Sequence, residues 1–262
     1  MIKTFFNVCW AECLKLRRSK APLLSAVAYA MLPPAAALLM LVADDPLRVR
    51  AYRFMTLQSQ ITLMQADWPR YFAWLSAGSA LAGLAVFSLF MIWIFGREHA
   101  DRTSKELLTL PIPREMLVGA KVLVAGLWCL LLQCGMLLAA VLLGACLRLP
   151  SWSPELLQSS LASAFEVAGL SFCLAVPFGL VANLSRGTMA AVGTLFLAFF
   201  FTIIMIATGW GAFFPWAVPT LLSGAAGNEA SQLGCVSYSL VFLTALAGLL
   251  GNMAWWRWAD QV

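Results

Sequence analysis

The stretch GREHADRTSKELLTLPIPREMLVGAK, Gly96 to Lys121, decides how the rest of the chain is read. It gathers ten titratable side chains between two apolar runs, each long enough to cross a bilayer, in a chain that is only 11% charged. Glu98/Arg102, Asp101/Lys105 and Arg102/Glu106 are opposite charges four residues apart, and each such pair favours a solvated helix by about 0.2–0.5 kcal/mol. Thr103 and Glu106 form a capping-box pattern that can instead start a short helix just before Leu107-Leu108. Pro111 must end that helix, and Pro113 can begin the next, which runs on into the following apolar run. The expected shape is helix, sharp break, helix. It leaves Leu107, Leu108, Leu110 and Ile112 uncovered at a charged corner, and apolar residues so placed imply a partner surface.

The composition around this stretch says what the solvent is. The 262 residues are 62% hydrophobic, with a mean hydropathy of +0.85. Soluble domains carry roughly 45–50% apolar and about 25% charged residues, so this chain needs lipid around it. The net charge of +5 does not point to nucleic acid, because the basic residues sit in short segments between spans. None of the seven cysteines forms a CxxC pair and most lie inside apolar runs, as packing residues do. Cys146 and Cys235 fall near the same expected outer surface, where a disulfide is open to them. The run ending near Asp44 is read as a span rather than a signal peptide, because the polar segment before it is too long and the run itself is span-length.

The expected architecture is one all-α, polytopic membrane domain. Residues 1–20 form an interfacial helix, with Ile2, Phe5, Phe6, Cys9, Cys13 and Leu16 on one face and Lys3, Asn7, Glu12, Lys15 and Arg18 elsewhere on the wheel. Six spans follow at 21–43, 71–95, 122–147, 156–182, 188–208 and 233–254, with 96–121 as a cytoplasmic loop. Pro33-Pro34 should kink the first span. Asp45-Pro46 should start an outer helix through Phe54, Leu57, Ile61 and Met64. Trp68, Tyr71, Phe72 and Trp74 read as an aromatic belt. Residues 209–223, broken by Pro215 and Pro219, suit a short re-entrant or interfacial segment, and Trp255-Trp256-Arg257-Trp258 suits a terminal anchor. Ser79/Gly83 and Ala164/Ala168 permit close helix approach.

Six spans put both termini on one side. With the N-terminus inside, Lys3, Lys15, Arg17, Arg18, Lys20, Arg97, Arg102, Lys105, Arg114, Lys121, Arg186 and Arg257 are cytoplasmic. Only Arg48, Arg50, Arg53, Arg70 and Arg148 lie outside. The positive-inside rule therefore favours cytoplasmic termini.

Catalysis finds little support. The chain has one histidine, His99, so a clustered metal site is not expected. No span offers a His or Lys to activate a serine. There is no G-x-x-x-x-G-K phosphate cradle, so the chain is not expected to bind ATP by that route. Glu166 is the one acid well inside an expected span. It either lines a substrate path or sits near the outer headgroups, since an ionised carboxylate at mid-bilayer costs about 2.5–3.5 kcal/mol.

The loop pattern resembles the first cytoplasmic loop of type-2 ABC exporter permeases. The residues that carry the resemblance are Gly96, Glu98, Asp101, Thr103, Leu107, Leu108, Pro111, Pro113, Arg114, Gly119 and Lys121. The family often has Gly where this chain has Arg102, and Ser or Thr where it has Pro113. The resemblance implies a coupling loop that docks on a separate ATPase through Glu98, Asp101, Arg102, Thr103, Lys105, Glu106, Leu107, Leu108, Pro111 and Arg114. It implies two ABC ATPase subunits holding ATP and Mg, and a second permease copy or a homologous permease, in the inner membrane. Size and layout are similar to the branch that protects cells against lantibiotics or bacitracin. The expected function is ATP-driven export of an amphipathic substrate; the alternative is a non-transporting membrane assembly or sensor subunit.

Overall fold

The computed structural model describes residues 2–43, 66–100, 113–225 and 233–258. The expected outer helix through Phe54 to Met64, and the stretch from Asp101 to Ile112 with its capping box, lie outside them. Among the described residues the chain is helical without strands, and six helices are long and apolar enough to cross a membrane. In chain order they are α1 (Ile2–Arg17), α2 (Ala21–Ala30), α3 (Leu32–Ala43), α4 (Trp68–Ala100), α5 (Arg114–Cys146), α6 (Pro154–Leu184) and α7 (Met189–Ala207). Two 3-10 turns, Gly211–Phe213 and Pro215–Ala217, lead to α8 (Val218–Leu222), and α9 (Cys235–Trp258) closes the order.

Local chemistry explains the ends. The first apolar run breaks at Met31, and α3 restarts with Pro33 and Pro34 in its first turn, where a missing amide costs nothing. Asp67 Oδ1 accepts the Arg70 amide at 2.9 Å at the start of α4, and Ser153 Oγ accepts the Leu156 amide at 3.1 Å ahead of Pro154 in α6. At the end of α7, Gly209 takes φ +78°, and the Trp210 amide reaches back to the Met205 carbonyl at 2.9 Å. That left-handed glycine with a six-to-one bond stops the helix where the two prolines ahead forbid a straight continuation.

The bundle is built on α4 and α6, which pack along most of their length, with α9 against α6 and α1 against α5. Small residues set these distances. A Cβ on Gly83 would stand 3.4 Å from the Tyr29 hydroxyl, one on Gly179 2.6 Å from the Phe95 ring, and one on Gly248 2.8 Å from the backbone of Pro177. Inter-helix hydrogen bonds in membranes average only about 0.6 kcal/mol, so close packing carries most of the cohesion. The buried polar groups fix register: Tyr29 donates to Gln133 Oε1 at 2.6 Å, and Gln133 Nε2 donates to the Ala164 carbonyl at 3.3 Å.

One expectation is corrected and one open question is answered. Trp68, Tyr71 and Phe72 are not a lipid-facing belt; they are buried, with Trp68 set over Gly144 and against Trp152, and Trp74 alone of the four is exposed. That face packs inward, because a Trp ring needs the gap that only a glycine leaves. Cys146 and Cys235 are both exposed and unbonded.

Candidate functional site

The site lies at the end of the bundle where α1, the last turns of α4 and the first turns of α5 converge; we call this the basal end. It holds the two roots of the loop quoted at the outset. Lys121 on α5 is 1% exposed, and its Nζ lies 2.5 Å from Glu98 Oε1 on α4. The same Nζ stands 3.5 Å from Glu12 Oε2 on α1 and donates to the Ile94 carbonyl at 3.3 Å. Lys15 closes the figure, 2.6 Å from Glu12 and 3.6 Å from Glu98. Two carboxylates and two ammonium groups thus alternate in a closed, neutral ring across three helices.

Burial alone would raise the Glu12 carboxyl, but Lys121, Lys15 and Arg97 outweigh it and hold it below the usual carboxylate value. Arg97 itself is fixed over the Trp93 ring at 5.0 Å. Glu98 Oε2 has no hydrogen-bond partner among the described residues. Such a ring stabilises less than it specifies: its desolvation cost roughly offsets its attraction, while loss of one member strands a buried charge at about 3–5 kcal/mol.

A second polar set braces the same end. His99 Nε2 lies 3.3 Å from Asn183 Oδ1, Asn183 Nδ2 donates to Asn252 Oδ1 at 2.7 Å, and the His99 ring meets Trp255 edge-on. Arg114 Nη1 donates to the Trp256 and Arg257 carbonyls at 3.1 Å, capping the end of α9. These contacts tie α4, α6 and α9 together and α5 to α9.

The expected coupling residues therefore divide. Glu98, placed by its spacing on a solvated face, is instead 1% exposed, because α4 continues through it to Ala100 and turns it toward Lys121. Arg114 is exposed and occupied with the carbonyls of α9. Asp101, Arg102, Thr103, Lys105, Glu106, Leu107, Leu108 and Pro111 lie outside the described residues. Glu12 and Lys15 escaped the sequence reading, although Glu12 stands four residues from both Val8 and Leu16, the two buried apolar residues of α1. Asn252, Gln133 and the buried role of Lys121 were also missed; a lone polar residue at the edge of, or inside, an apolar run was the available signal.

Glu166 lies far from this ring. It is exposed on the outer wall of α6 and accepts a hydrogen bond from the Tyr238 hydroxyl at 3.1 Å. Eighteen residues separate it from Leu184 at the basal end of α6, a rise of about 27 Å in a hydrocarbon core of about 30 Å. Glu155, Gln158, Ala162 and Glu166 share this exposed wall at helical spacing. Among the described residues no group of three His, Cys, Asp or Glu could hold a metal ion.

Six helices long and apolar enough to cross a membrane, with a charged joint at the roots of one loop, describe a polytopic helical protein of the membrane-spanning class. Residues 8–205 match the family described as ABC-2 family transporter protein, and the chain belongs to that family. It is similar to the bacitracin transport permease protein BCRB of Bacillus licheniformis, at 24% identity over 181 residues that cover 69% of this chain and 86% of that protein. The chain is an ABC transporter permease: a transport component rather than the ATPase, of a kind that associates with ABC ATPase subunits.

Proposed function

We propose that this permease is the membrane subunit of an exporter, moving an amphipathic substrate such as a peptide antibiotic or drug out of the cell or its membrane. Two ATPase subunits supply ATP and Mg, and a second permease copy or a homologous permease completes the path. The protein sits in the inner membrane with its termini in the cytoplasm, as its basic residues favour. The substrate class rests on the similarity to a bacitracin transport permease.

The observation that carries the coupling reading is the neutral ring. Its members Glu98 and Lys121 are the two roots of the loop, and both are locked to Glu12 and Lys15 of α1. A push on the corner between them moves α4, α5 and α1 as one body, because separating any pair exposes a buried charge. Glu98 acts by anchoring the loop, Arg114 by holding α5 to α9, and the contacts to the ATPase come from the stretch Asp101 through Pro111. At the far end, the Glu155–Glu166 wall of α6 offers polar groups to a path between permease copies.

The test separates docking from transmission. The permease is co-purified with its ATPase and assayed for ATP-driven export across a panel of peptide antibiotics and drugs. Arg102→Ala with Glu106→Ala should weaken ATPase capture about tenfold, the loss of roughly 1.4 kcal/mol, while Glu98→Gln should keep capture and lose export. Full capture and full export in the Arg102/Glu106 variant would remove the docking role.

A further inference from the structure

On the outer wall of the basal end, an open apolar groove of about 570 Å³ runs between α1, α2 and α5. Leu23 and Ala26 of α2 and Leu127 and Leu131 of α5 line it, with Trp128 alongside. Trp128 is held in place by its indole N–H, which donates to Ser25 Oγ at 3.0 Å. Leu23, Leu127 and Leu131 are 66%, 52% and 63% exposed, so nothing in the chain's described residues covers them.

The rim differs in chemistry from the walls. Arg17 and Ser19, at the corner where α1 meets α2, border the groove. Arg17, Arg18 and Lys20 are exposed and make no ion pair among the described residues. Ser19 Oγ accepts the Ala21 amide at 3.3 Å and keeps its proton to donate. No carboxylate lines the groove; the nearest acid on α1, Glu12, is buried and turned to Lys15 and Lys121. The rim therefore carries positive charge that the described residues leave uncompensated.

Depth completes the picture. Leu131 stands ten residues along α5 from Lys121, about 15 Å below the level of the charged ring. That is half of a hydrocarbon core of about 30 Å, the thickness of one leaflet. A cationic, hydroxyl-bearing rim above an apolar trough one leaflet deep fits one kind of molecule. We propose that this groove binds an anionic phospholipid, its headgroup phosphate met by Arg17 and Ser19 and one acyl chain laid along Leu23, Ala26, Leu127 and Leu131. A second copy of the chain fits less well, since two cationic rims would repel. The bound lipid bridges α1 and α5 from outside, the same helices that the charged ring joins from within. The proposal needs only a membrane-embedded chain and stands apart from the export reading.

The full chain is placed in nanodiscs of equal phosphatidylglycerol and phosphatidylcholine, and retained lipid is counted by native mass spectrometry after gentle release. The wild type should keep phosphatidylglycerol in preference, at one molecule per chain. Arg17→Gln, at an exposed position that leaves the fold intact, should lower that preference about fivefold, the factor expected for one basic residue at an anionic surface. Arg17→Lys should preserve it. Leu127→Trp, or Leu131→Phe if the first variant fails to fold, should reduce retention of both lipids. Equal retention of the two lipids by the wild type would overturn the site, as would a preference untouched by Arg17→Gln. A groove variant that changes the oligomeric state and leaves lipid retention intact would also overturn it, assigning the groove to a second copy.

Discussion

Lys121 shows how much one side chain can depend on its neighbours. Its ammonium group, 1% exposed, is tolerable only because Glu98 and Glu12 meet it within 3.5 Å and the Ile94 carbonyl accepts a further hydrogen bond. Lys121→Met would leave two carboxylates with Lys15 as their one remaining partner in the ring and so strand a buried negative charge, at a cost of about 3–5 kcal/mol. Adding Glu98→Leu removes one stranded charge, and the double variant should recover most of that loss. Thermal unfolding in detergent, arranged as a double-mutant cycle, measures the coupling; additive losses would show that the two groups do not act as a pair.

Glu12 makes the attachment of α1 sensitive to acid. Its folded carboxyl lies below the usual value despite the opposing effect of burial. Its contribution is therefore complete above the ordinary carboxylate range and is lost as pH falls through the lower folded value. Hydrogen exchange of the α1 amides, corrected for intrinsic rates, should be flat from neutral pH down to that range and rise only below it. Glu12→Gln should abolish the step.

At the scale of elements, Gly248 lets α9 approach the backbone of α6 closely. A Cβ on Gly248 would meet the Cα and amide nitrogen of Pro177 at 2.8 Å, atoms that cannot swing aside. One turn on, a Cβ on Gly251 would meet only the Cδ2 end of Leu180, at 2.5 Å. Gly248→Ala should therefore destabilise the bundle by about 1–3 kcal/mol, the range for overpacking. Gly251→Ala should cost less, because a leucine can change rotamer. Melting of the two variants side by side decides it, and equal shifts would mean that α9 moves as a rigid body away from Pro177.

At the scale of the whole molecule, the six apolar helices and the all-helical class are properties that the sequence alone determined. Apolar length is local: about 20 consecutive residues satisfy their own backbone within a helix, and lipid then requires nothing of distant residues. The broken segment before the last span was equally legible, since Pro215 and Pro219 act where they stand. Tertiary structure alone decided what the polar residues do. Glu98 finds Lys121 across 23 positions, Asn183 finds Asn252 across 69 and Tyr29 finds Gln133 across 104. The aromatic cluster at Trp68 turned inward for the same reason, because its gap at Gly144 lies on another helix. Sequence spacing sets the face on which a side chain stands, and the rotation and tilt of packed helices set what that face meets. For the loop from Gly96 to Lys121, the pattern of charges and prolines marked the place; the packing of α1, α4 and α5 made its two roots a buried joint.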